Sequence, residues 1–144
     1  MRDGLSNIQV VRGADQTLSG TTANASAAFD VRGFGSAAFD VETGVVTDAG
    51  TAAGFAMVLQ HSDDLVGANF VAVPAGEFSG TVTVIDDAAD NVIAGSIGYL
   101  GSKRYVIGVF TGTTGTDAIV HVKANLGKPA RAPVTRVGAA IATT

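Results

Sequence analysis

The sequence predicts an all-β fold, either a β-sandwich (jelly-roll-like) or a barrel, with about eight short strands and extended terminal arms. Ala and Val dominate its apolar residues, and 19 Gly punctuate short apolar runs, which is typical of strands packed face to face. The strong helix formers Leu, Glu, Lys and Gln are scarce. Turn signals recur about every 8 to 12 residues, as they do in sandwiches and barrels.

The first half of the chain alternates short apolar runs with polar turns. Residues 8–11 predict a first strand or arm, and the polar stretch 13–26 predicts a loop. The segment 27–31 recurs as 37–41, which predicts either two strands joined by a tight Gly-containing connection or a chance duplication. Residues 55–61 alternate as a half-buried strand that turns the side chains of Phe55, Met57 and Leu59 to one face.

The second half continues the same pattern up to a proline-containing tail. It predicts a turn at 62–64, strands at 69–73 and 80–85, a turn or loop at 86–91, a segment 97–101 leading into a strand at 103–110, and a strand at 118–126. The last two strands, joined by the polar loop 111–117, form the clearest predicted hairpin. The sequence thus places an antiparallel pair near its carboxy terminus.

The chain has the length of one domain with one core. We expect a single β domain over residues 1–126, including an amino-terminal arm, and an extended carboxy-terminal arm over residues 127–144. Pro129 and Pro133 flank Arg131 in this tail, and proline cannot donate a hydrogen bond to a central strand.

Composition argues against several classes of protein. The chain has no cysteine, so neither disulfide bonds nor thiolate chemistry contribute. Residues 1–11 have no apolar stretch of signal-peptide length, and no segment approaches the roughly 20 apolar residues of a membrane helix. We therefore expect synthesis in a cytoplasm and no membrane partner. Nucleic acid is not an expected partner either, because the pI is about 4.8 and the few basic residues have no aromatic residues interleaved among them.

The formal charge of −4 conceals two unlike halves. Residues 1–90 carry three basic and twelve acidic residues, a net of −9, whereas residues 91–144 carry six basic residues and one acid, a net of +5. Two interpretations stay open. Either the halves interleave in one domain with an ordinary dipolar surface, or the basic portion meets an acidic surface of a neighbouring copy or lattice.

Few residues in the sequence suggest catalysis or metal binding. His61 beside Asp63 and Asp64 has the donors for a metal corner, although such a histidine more often caps a turn or lies on a solvated strand face. His121 alternates with apolar neighbours and is expected on a polar face. We expect no metal site at either histidine.

Two further segments carry little indication of chemistry. Asp86, Asp87, Asp90 and Asn91 offer oxygen ligands for calcium but lack the EF-hand spacing, so a solvated turn is the favoured interpretation. The loop 111–117 has no Gly-Lys-Ser/Thr after it, and the chain has no Gly-x-Ser-x-Gly elbow. The sequence therefore predicts no catalytic residue, no cofactor and no enzymatic activity.

Four segments carry a resemblance to a known group of proteins. They are Arg2-Asp3-Gly4-Leu5-Ser6-Asn7-Ile8, Leu59-Gln60-His61-Ser62-Asp63, the stretch from Ile97-Gly98-Tyr99-Leu100-Gly101 through Ser102-Lys103-Arg104-Tyr105-Val106 to Val109, and Leu126-Gly127-Lys128-Pro129-Ala130-Arg131-Ala132-Pro133-Val134. Together they resemble small structural proteins encoded among the head genes of tailed double-stranded DNA phages and prophages. The third segment departs from the family pattern at Ile107 and Gly108, where the family usually has Arg and Val.

The resemblance implies a virion structural protein at the capsid surface. A capsid decoration (cement) role is favoured over a head-fibre base or connector role, with the major capsid protein and copies of itself as partners. Weak contacts of this kind multiply over a symmetric lattice. The expected interface residues are Arg2 and Ile8 in the amino-terminal arm, Lys128, Arg131 and Arg136 in the tail, and Lys103 with Arg104 as a second basic patch; ordinary solvated charge is their alternative interpretation.

A host-glycan-binding module on the virion is the alternative function. Residues 60–64 followed by Lys103-Arg104-Tyr105-Val106 also resemble the strands of discoidin-like sugar-binding sandwiches. Against it, the chain has no Trp and only two Tyr, Tyr99 and Tyr105, whereas carbohydrate sites favour exposed aromatic platforms.

Overall fold

The computed structural model describes residues 7–21, 23–48, 54–82, 84–86, 93–112 and 116–130. These residues confirm the all-β prediction, because they form eleven strands in two antiparallel sheets. In chain order the strands are β1 (Ile8–Arg12), β2 (Gln16–Ser19), β3 (Asn24–Ala25), β4 (Phe29–Asp30), β5 (Phe34–Asp48), β6 (Phe55–Ser62), β7 (Val71–Ala72), β8 (Phe78–Val82), β9 (Ile93–Tyr99), β10 (Tyr105–Gly112) and β11 (Thr116–Pro129).

Helical structure in this part of the chain is limited to two 3-10 turns. They span Gly67–Asn69 and Ala75–Glu77, three residues each. No helix among the described residues has the length and apolar character needed to cross a membrane.

The larger sheet, sheet A, has β11 in its interior. Its strand order is β1, β11, β5, β9, β8, and β2 also pairs with β11. Since β5 runs along the whole of one side of β11, β1 and β2 share the other side, where they pair with residues 123–127 and 117–120. Both sides of β11 are therefore hydrogen-bonded to neighbouring strands.

The smaller sheet, sheet B, repeats this arrangement around β10. Its strand order is β3, β10, β6, β7, and β4 also pairs with β10. Here β6 covers one side of β10 over its full length, while the short strands β3 and β4 lie in succession along the other side. Each sheet thus has an interior strand from the last third of the chain.

One hydrophobic core lies between the two sheets. The alternation of β11 turns six residues inward, from Thr116 to Leu126, and all of them are buried. The five apolar ones, from Ala118 to Leu126, pack in one cluster with residues of sheet B that include Phe55, Leu59 and Phe110. The predicted face of the 55–61 strand is confirmed, since Phe55 and Leu59 are buried and Met57 packs against the core.

The predicted hairpin between residues 103–110 and 118–126 is wrong. Both segments are strands, but β10 lies in sheet B and β11 in sheet A. The physical reason is that both sides of each strand are already paired with other strands, so the two cannot pair with each other. The chain passes from one sheet to the other between them.

The repeated segments 27–31 and 37–41 also lie in different sheets. The connection contains the predicted tight glycine turn, in which Gly33 has φ +88° and the Phe34 N–H donates to the Val31 carbonyl at 3.3 Å. Phe29 and Phe39, the equivalent residues of the two copies, meet inside the core with ring centroids 5.4 Å apart. Each copy of the repeat therefore contributes one phenylalanine, from its own sheet, to a single aromatic contact in the core.

Several predicted boundaries move. The predicted loop 13–26 contains β2 and β3, with Leu18 fully buried. The predicted strand 69–73 reduces to β7 after a 3-10 turn, the strand at 80–85 is β8, and the segment 97–101 belongs to β9. At the carboxy terminus β11 continues past Leu126 to Pro129, because residues 127 and 129 still pair with Ser36 and Phe34.

Candidate functional site

Four of the seven predicted interface residues lie in the described part of the chain, and all four lie at one end of the sandwich. Ile8 pairs with Gly127, and Gly127 pairs with Ser36 on the other side. The next residue of β5, Ala37, pairs with Tyr99, after which the chain crosses to sheet B through Lys103 and Arg104. We call this region the terminal end. Arg2, Arg131 and Arg136 lie outside the described residues.

The first and last strands of the described chain, β1 and β11, lie side by side at the terminal end. Ile8 is 47% exposed on β1, directly beside the last residues of β11. Lys128 is exposed there, with φ 50°, and makes no ion pair with any described residue. The N–H of Ala130 donates to the carbonyl of Gly33 at 2.7 Å, which fixes the point from which the tail continues.

A shallow groove of about 390 Å³ opens at the terminal end. It forms because β9 stops at Tyr99 while β5 extends back to Phe34, so the first residues of β5 have no strand partner from β9. The exposed side chain of Leu100 lies at its rim. The lining is uncharged and consists of Val31, Phe34, Gly35, Ser36, Ala37, Gly98, Tyr99, Leu100 and Gly101.

The predicted basic patch at Lys103 and Arg104 is compensated within the chain. Lys103 Nζ lies 2.5 Å from Asp63 Oδ2, a hydrogen bond that raises the pKa of the lysine. Arg104 donates from Nε and Nη2 to both oxygens of Asp30, at 2.7 to 3.2 Å. This bidentate contact lowers the pKa of Asp30. At the terminal end, Lys103 and Arg104 are therefore each bound in an ion pair with an aspartate.

His61 is buried, which differs from the expected solvated strand face or turn cap. It is 5% exposed, and its Nδ1 lies 2.9 Å from the hydroxyl oxygen of Tyr99, which is 6% exposed. That oxygen accepts the backbone N–H of Lys103 at 3.0 Å, and burial raises the pKa of Tyr99. A carboxylate oxygen of Glu77 lies 3.8 Å from the same Nδ1. This polar cluster joins β6 of one sheet to β9 of the other.

The three groups considered for a metal corner share no binding partner. His61 contacts Tyr99, Asp63 pairs with Lys103, and Asp64 accepts hydrogen bonds from the Val66 N–H and the Asn69 side chain, both at 2.9 Å. These last two bonds lower the pKa of Asp64. Asp64 organises the predicted turn at 62–64 instead.

Within the residues that the structure describes, no group of three His, Cys, Asp or Glu side chains has metal-site geometry. Of the candidate calcium segment, only Asp86 is described, and Asp87, Asp90 and Asn91 lie outside. The centre of the loop 111–117, residues 113–115, also lies outside the described residues.

The outer face of sheet A carries two groups of charged side chains, one of which contains His121 on the polar face predicted for it. His121 Nδ1 lies 2.5 Å from Asp15 Oδ1, which also accepts Arg12 Nη2 at 2.9 Å. Further along the sheet, Lys123 pairs with Glu42 at 2.5 Å and lies 3.8 Å from Asp40. Glu42 is the main cause of the raised pKa of Lys123. We call Arg12, Asp15, Asp40, Glu42, His121 and Lys123 the charged face.

Between the two charge interpretations, the structure supports interleaving for three basic residues. Lys103, Arg104 and Lys123 come from the basic half, and each pairs with an acid of the acidic half. Asp30 and Glu77 are the residues that sequence reasoning missed, because their partners are 74 and 16 positions away. The alternation of the 55–61 strand did indicate that His61 is buried, since it places that residue on the same face as Leu59.

Comparison of the chain with known protein families, with curated proteins and with solved structures finds no match.

Proposed function

We propose that this chain is a structural protein of a phage virion, a capsid decoration (cement) protein that binds the major capsid protein on the head surface and associates with its own copies. The proposal assigns it no catalytic activity and no cofactor. The protein is made in the host cytoplasm and incorporated into the virion.

The observation that carries the proposal is the convergence at the terminal end. The described chain begins and ends on adjacent strands, β1 and β11, beside the uncharged groove and the exposed side chains of Ile8 and Leu100. Arg2 precedes Ile8 in the sequence, and Arg131 and Arg136 follow Lys128. A capsid protein would meet the groove and both ends of the described chain in one contact.

Segments that carry the family resemblance contact one another at the terminal end. His61 and Asp63 of one segment contact Tyr99 and Lys103 of another, and Ile8 of the first pairs with Gly127 of the last. Residues 107 and 108, where the chain departs from the family pattern, lie in the middle of β10, away from these contacts. The departure therefore leaves the terminal end intact.

The glycan-binding alternative has less support. Tyr99 is buried and its hydroxyl is engaged, so it offers no platform for sugar stacking. The remaining tyrosine, Tyr105, has the guanidinium of Arg104 over its ring at 4.6 Å. Binding of the purified protein on a glycan array would favour this alternative.

The proposal is tested by adding variants to heads that lack the protein. Deletion of residues 131–144 is expected to leave a folded domain, because β11 is complete at Pro129, and to abolish binding to heads. Lys128→Glu is expected to weaken binding at least about tenfold, since it reverses a charge at the contact. Mass spectrometry of virions should find a copy number comparable to that of the major capsid protein.

A matched control adds a negative charge at the opposite end of the sandwich. Thr47 is exposed and pairs with Asp117 far from the termini, so Thr47→Glu should bind heads like the wild type. If the deletion and Lys128→Glu both bind normally, the terminal end is not the anchor. A copy number of only a few per virion would indicate a portal, vertex or tail component instead.

A further inference from the structure

Two adjacent cations of the terminal end are paired with acids at the protein surface. Lys103 Nζ lies 2.5 Å from Asp63, and the two side chains are 42% and 67% exposed. Arg104 lies 2.7 Å from Asp30, with side chains 33% and 41% exposed. We call Lys103, Arg104, Asp30 and Asp63 the paired patch. Solvent, and any partner that arrives from solvent, therefore reaches all four charged groups.

Ion pairs as exposed as these hold their partners weakly. Water screens the attraction, and two long side chains must be kept in one geometry, so such a pair contributes little to stability. A released aspartate returns to water, with which its side chain is already in contact. No buried charge is then left without a partner, which is the costly outcome for an ion pair. An outside carboxylate can therefore replace either aspartate at small cost.

The two cations are positioned by contacts that do not involve the aspartates. The Lys103 N–H donates to the Tyr99 hydroxyl at 3.0 Å, and the Arg104 carbonyl accepts the Val31 N–H at 2.9 Å. The guanidinium of Arg104 also lies 4.6 Å from the ring centroid of Tyr105, a cation–π contact that restricts its direction. The cations are thus preformed for anionic groups.

We propose that the paired patch binds a segment of a partner protein that carries carboxylate groups, and that Asp30 and Asp63 occupy the two cations until this segment displaces them. Carboxylates are the groups that both cations already bind. Arg104 donates from Nε and Nη2 to the two oxygens of Asp30, an arrangement that an incoming Asp or Glu side chain would repeat. The two aspartates thus form an autoinhibitory contact.

The inference rests on the proposed function for the identity of the partner, the major capsid protein, and names the chemistry of that contact. Lys128 is exposed at the same end and makes no ion pair with any described residue. An acidic segment that pairs with Lys128 first would raise the local concentration of its remaining carboxylates at the paired patch. An outside segment with several carboxylates therefore competes better than a single one.

Binding of dye-labelled poly-L-glutamate to the full-length protein at low ionic strength tests the exchange in the absence of heads. Asp63→Asn and Asp30→Asn each uncover one cation. Each is expected to bind the polymer about two- to five-fold more tightly than the wild type, the effect of one exposed ion pair. Lys103→Gln, added to Asp63→Asn, should cancel the gain. Fluorescence anisotropy measures the dissociation constants.

Asp117→Asn is the matched control. It makes the same change in net charge at an exposed aspartate without a described partner, so it should bind the polymer like the wild type. Circular dichroism shows whether each variant is folded, and Asp63→Asn is the safer variant, because the adjoining turn is organised by Asp64. Aspartate variants that bind no more tightly than Asp117→Asn would overturn the proposal. A preference for single-stranded DNA over poly-L-glutamate would overturn the assignment of carboxylates.

Head binding distinguishes failure of this inference from failure of the proposed function. Asp63→Asn is expected to bind heads about two- to five-fold more tightly than the wild type. Heads that bind the wild type and both aspartate variants equally would refute only the paired patch as a binding site. Tighter polymer binding by variants of a protein that never joins heads would refute only the virion role.

Discussion

At the scale of single residues, the contact between His61 and Tyr99 is the main polar link across the described core. The tyrosine hydroxyl accepts the Lys103 N–H at 3.0 Å and shares a hydrogen bond with His61 Nδ1 at 2.9 Å. One hydroxyl thus satisfies a buried ring nitrogen and a backbone N–H in the crossover between sheets.

Tyr99→Phe removes that hydroxyl and is expected to destabilise the protein by about 1 to 3 kcal/mol, because two buried polar groups lose their partner. Urea denaturation followed by circular dichroism measures the change. Tyr105→Phe is the matched control, since no described residue bonds the Tyr105 hydroxyl, and it should stay within about 0.5 kcal/mol. Equal effects of the two substitutions would contradict the structural role of Tyr99.

Asp30 gives the protein a stability contribution that depends on pH. Arg104 lowers the pKa of Asp30 below its ordinary value of 3.8, so the folded state binds the proton less tightly than the unfolded state. The contribution is present above the unfolded value and is lost as the pH falls from 3.8 through the lower folded pKa.

Asp30→Asn is therefore expected to lower the melting temperature at pH 7 by about 1 to 4 °C, as for an exposed ion pair in a domain of this size. Thermal unfolding should show that this difference narrows below pH 3.8. Asp117→Asn, at an exposed aspartate without a described partner, should leave the melting temperature unchanged at both pH values. A wild-type advantage that persists undiminished in acid would be inconsistent with the assigned pair.

Single residues show which parts of the site are readable from sequence. The burial of His61 follows from its parity with Leu59, and the exposure of His121 follows from its alternation with buried Val120 and Val122. The partners Tyr99, Asp63 and Asp30 do not follow from any spacing. They depend on which strands lie opposite each other, and that is decided by packing of the whole chain.

At the scale of elements, the β8–β9 ladder depends on a glycine at its centre. Gly80 has φ +87°, and a Cβ there would overlap the carbonyl oxygen of Ser96 on the neighbouring strand. Both the backbone conformation and the close approach exclude a side chain. The last strand of sheet A is therefore shaped by one residue.

Gly80→Ala is expected to destabilise the protein by about 1 to 3 kcal/mol, because the alanine must adopt an unfavourable φ or push the strands apart. Chemical denaturation measures the loss. Gly76→Ala is the control, since no atom lies within 4 Å of a Cβ at that position and its φ is not positive. The expected ranking would be refuted by a control as unstable as Gly80→Ala.

Element type was more predictable than pairing. The sequence predicted strands at 55–61, 103–110 and 118–126 and a strand or arm at 8–11, and each of these segments contains a strand. The alternation at 55–61 was informative because period-two burial is a local property. Pairing failed for β10 and β11 because a short polar connection is compatible both with a hairpin and with a crossing between sheets. The repeat at 27–31 and 37–41 was ambiguous for the same reason.

At the scale of the whole molecule, the acidic and basic halves of the sequence depend on each other for folding. β10 and β11 come from the basic half, and the strands that flank them come from the acidic half. Removal of residues 91–144 takes β9 and β11 from sheet A and β10 from sheet B. The opposite net charges of −9 and +5 favour association of the two halves.

Fragments 1–90 and 91–144 are therefore expected to be unfolded when separate and to regain β structure when mixed. Far-UV circular dichroism and amide proton dispersion in NMR measure both states. High salt should slow the recovery, because it screens the attraction between the fragments. A fragment 1–90 that folds alone would show that the interior strands are dispensable.

The position of β10 and β11 in the chain also sets the timing of folding during synthesis. The ribosome releases residues 8–99 before β10 and β11, the two strands with which β1 to β6 pair. Until translation reaches residues 105–129, β1, β5 and β6 lack their partner strands β10 and β11. Long-range pairing of this kind is slow. Folding of each new copy is thus expected to be completed only after residues 105–129 have left the ribosome, with a preceding period in which chaperones are needed.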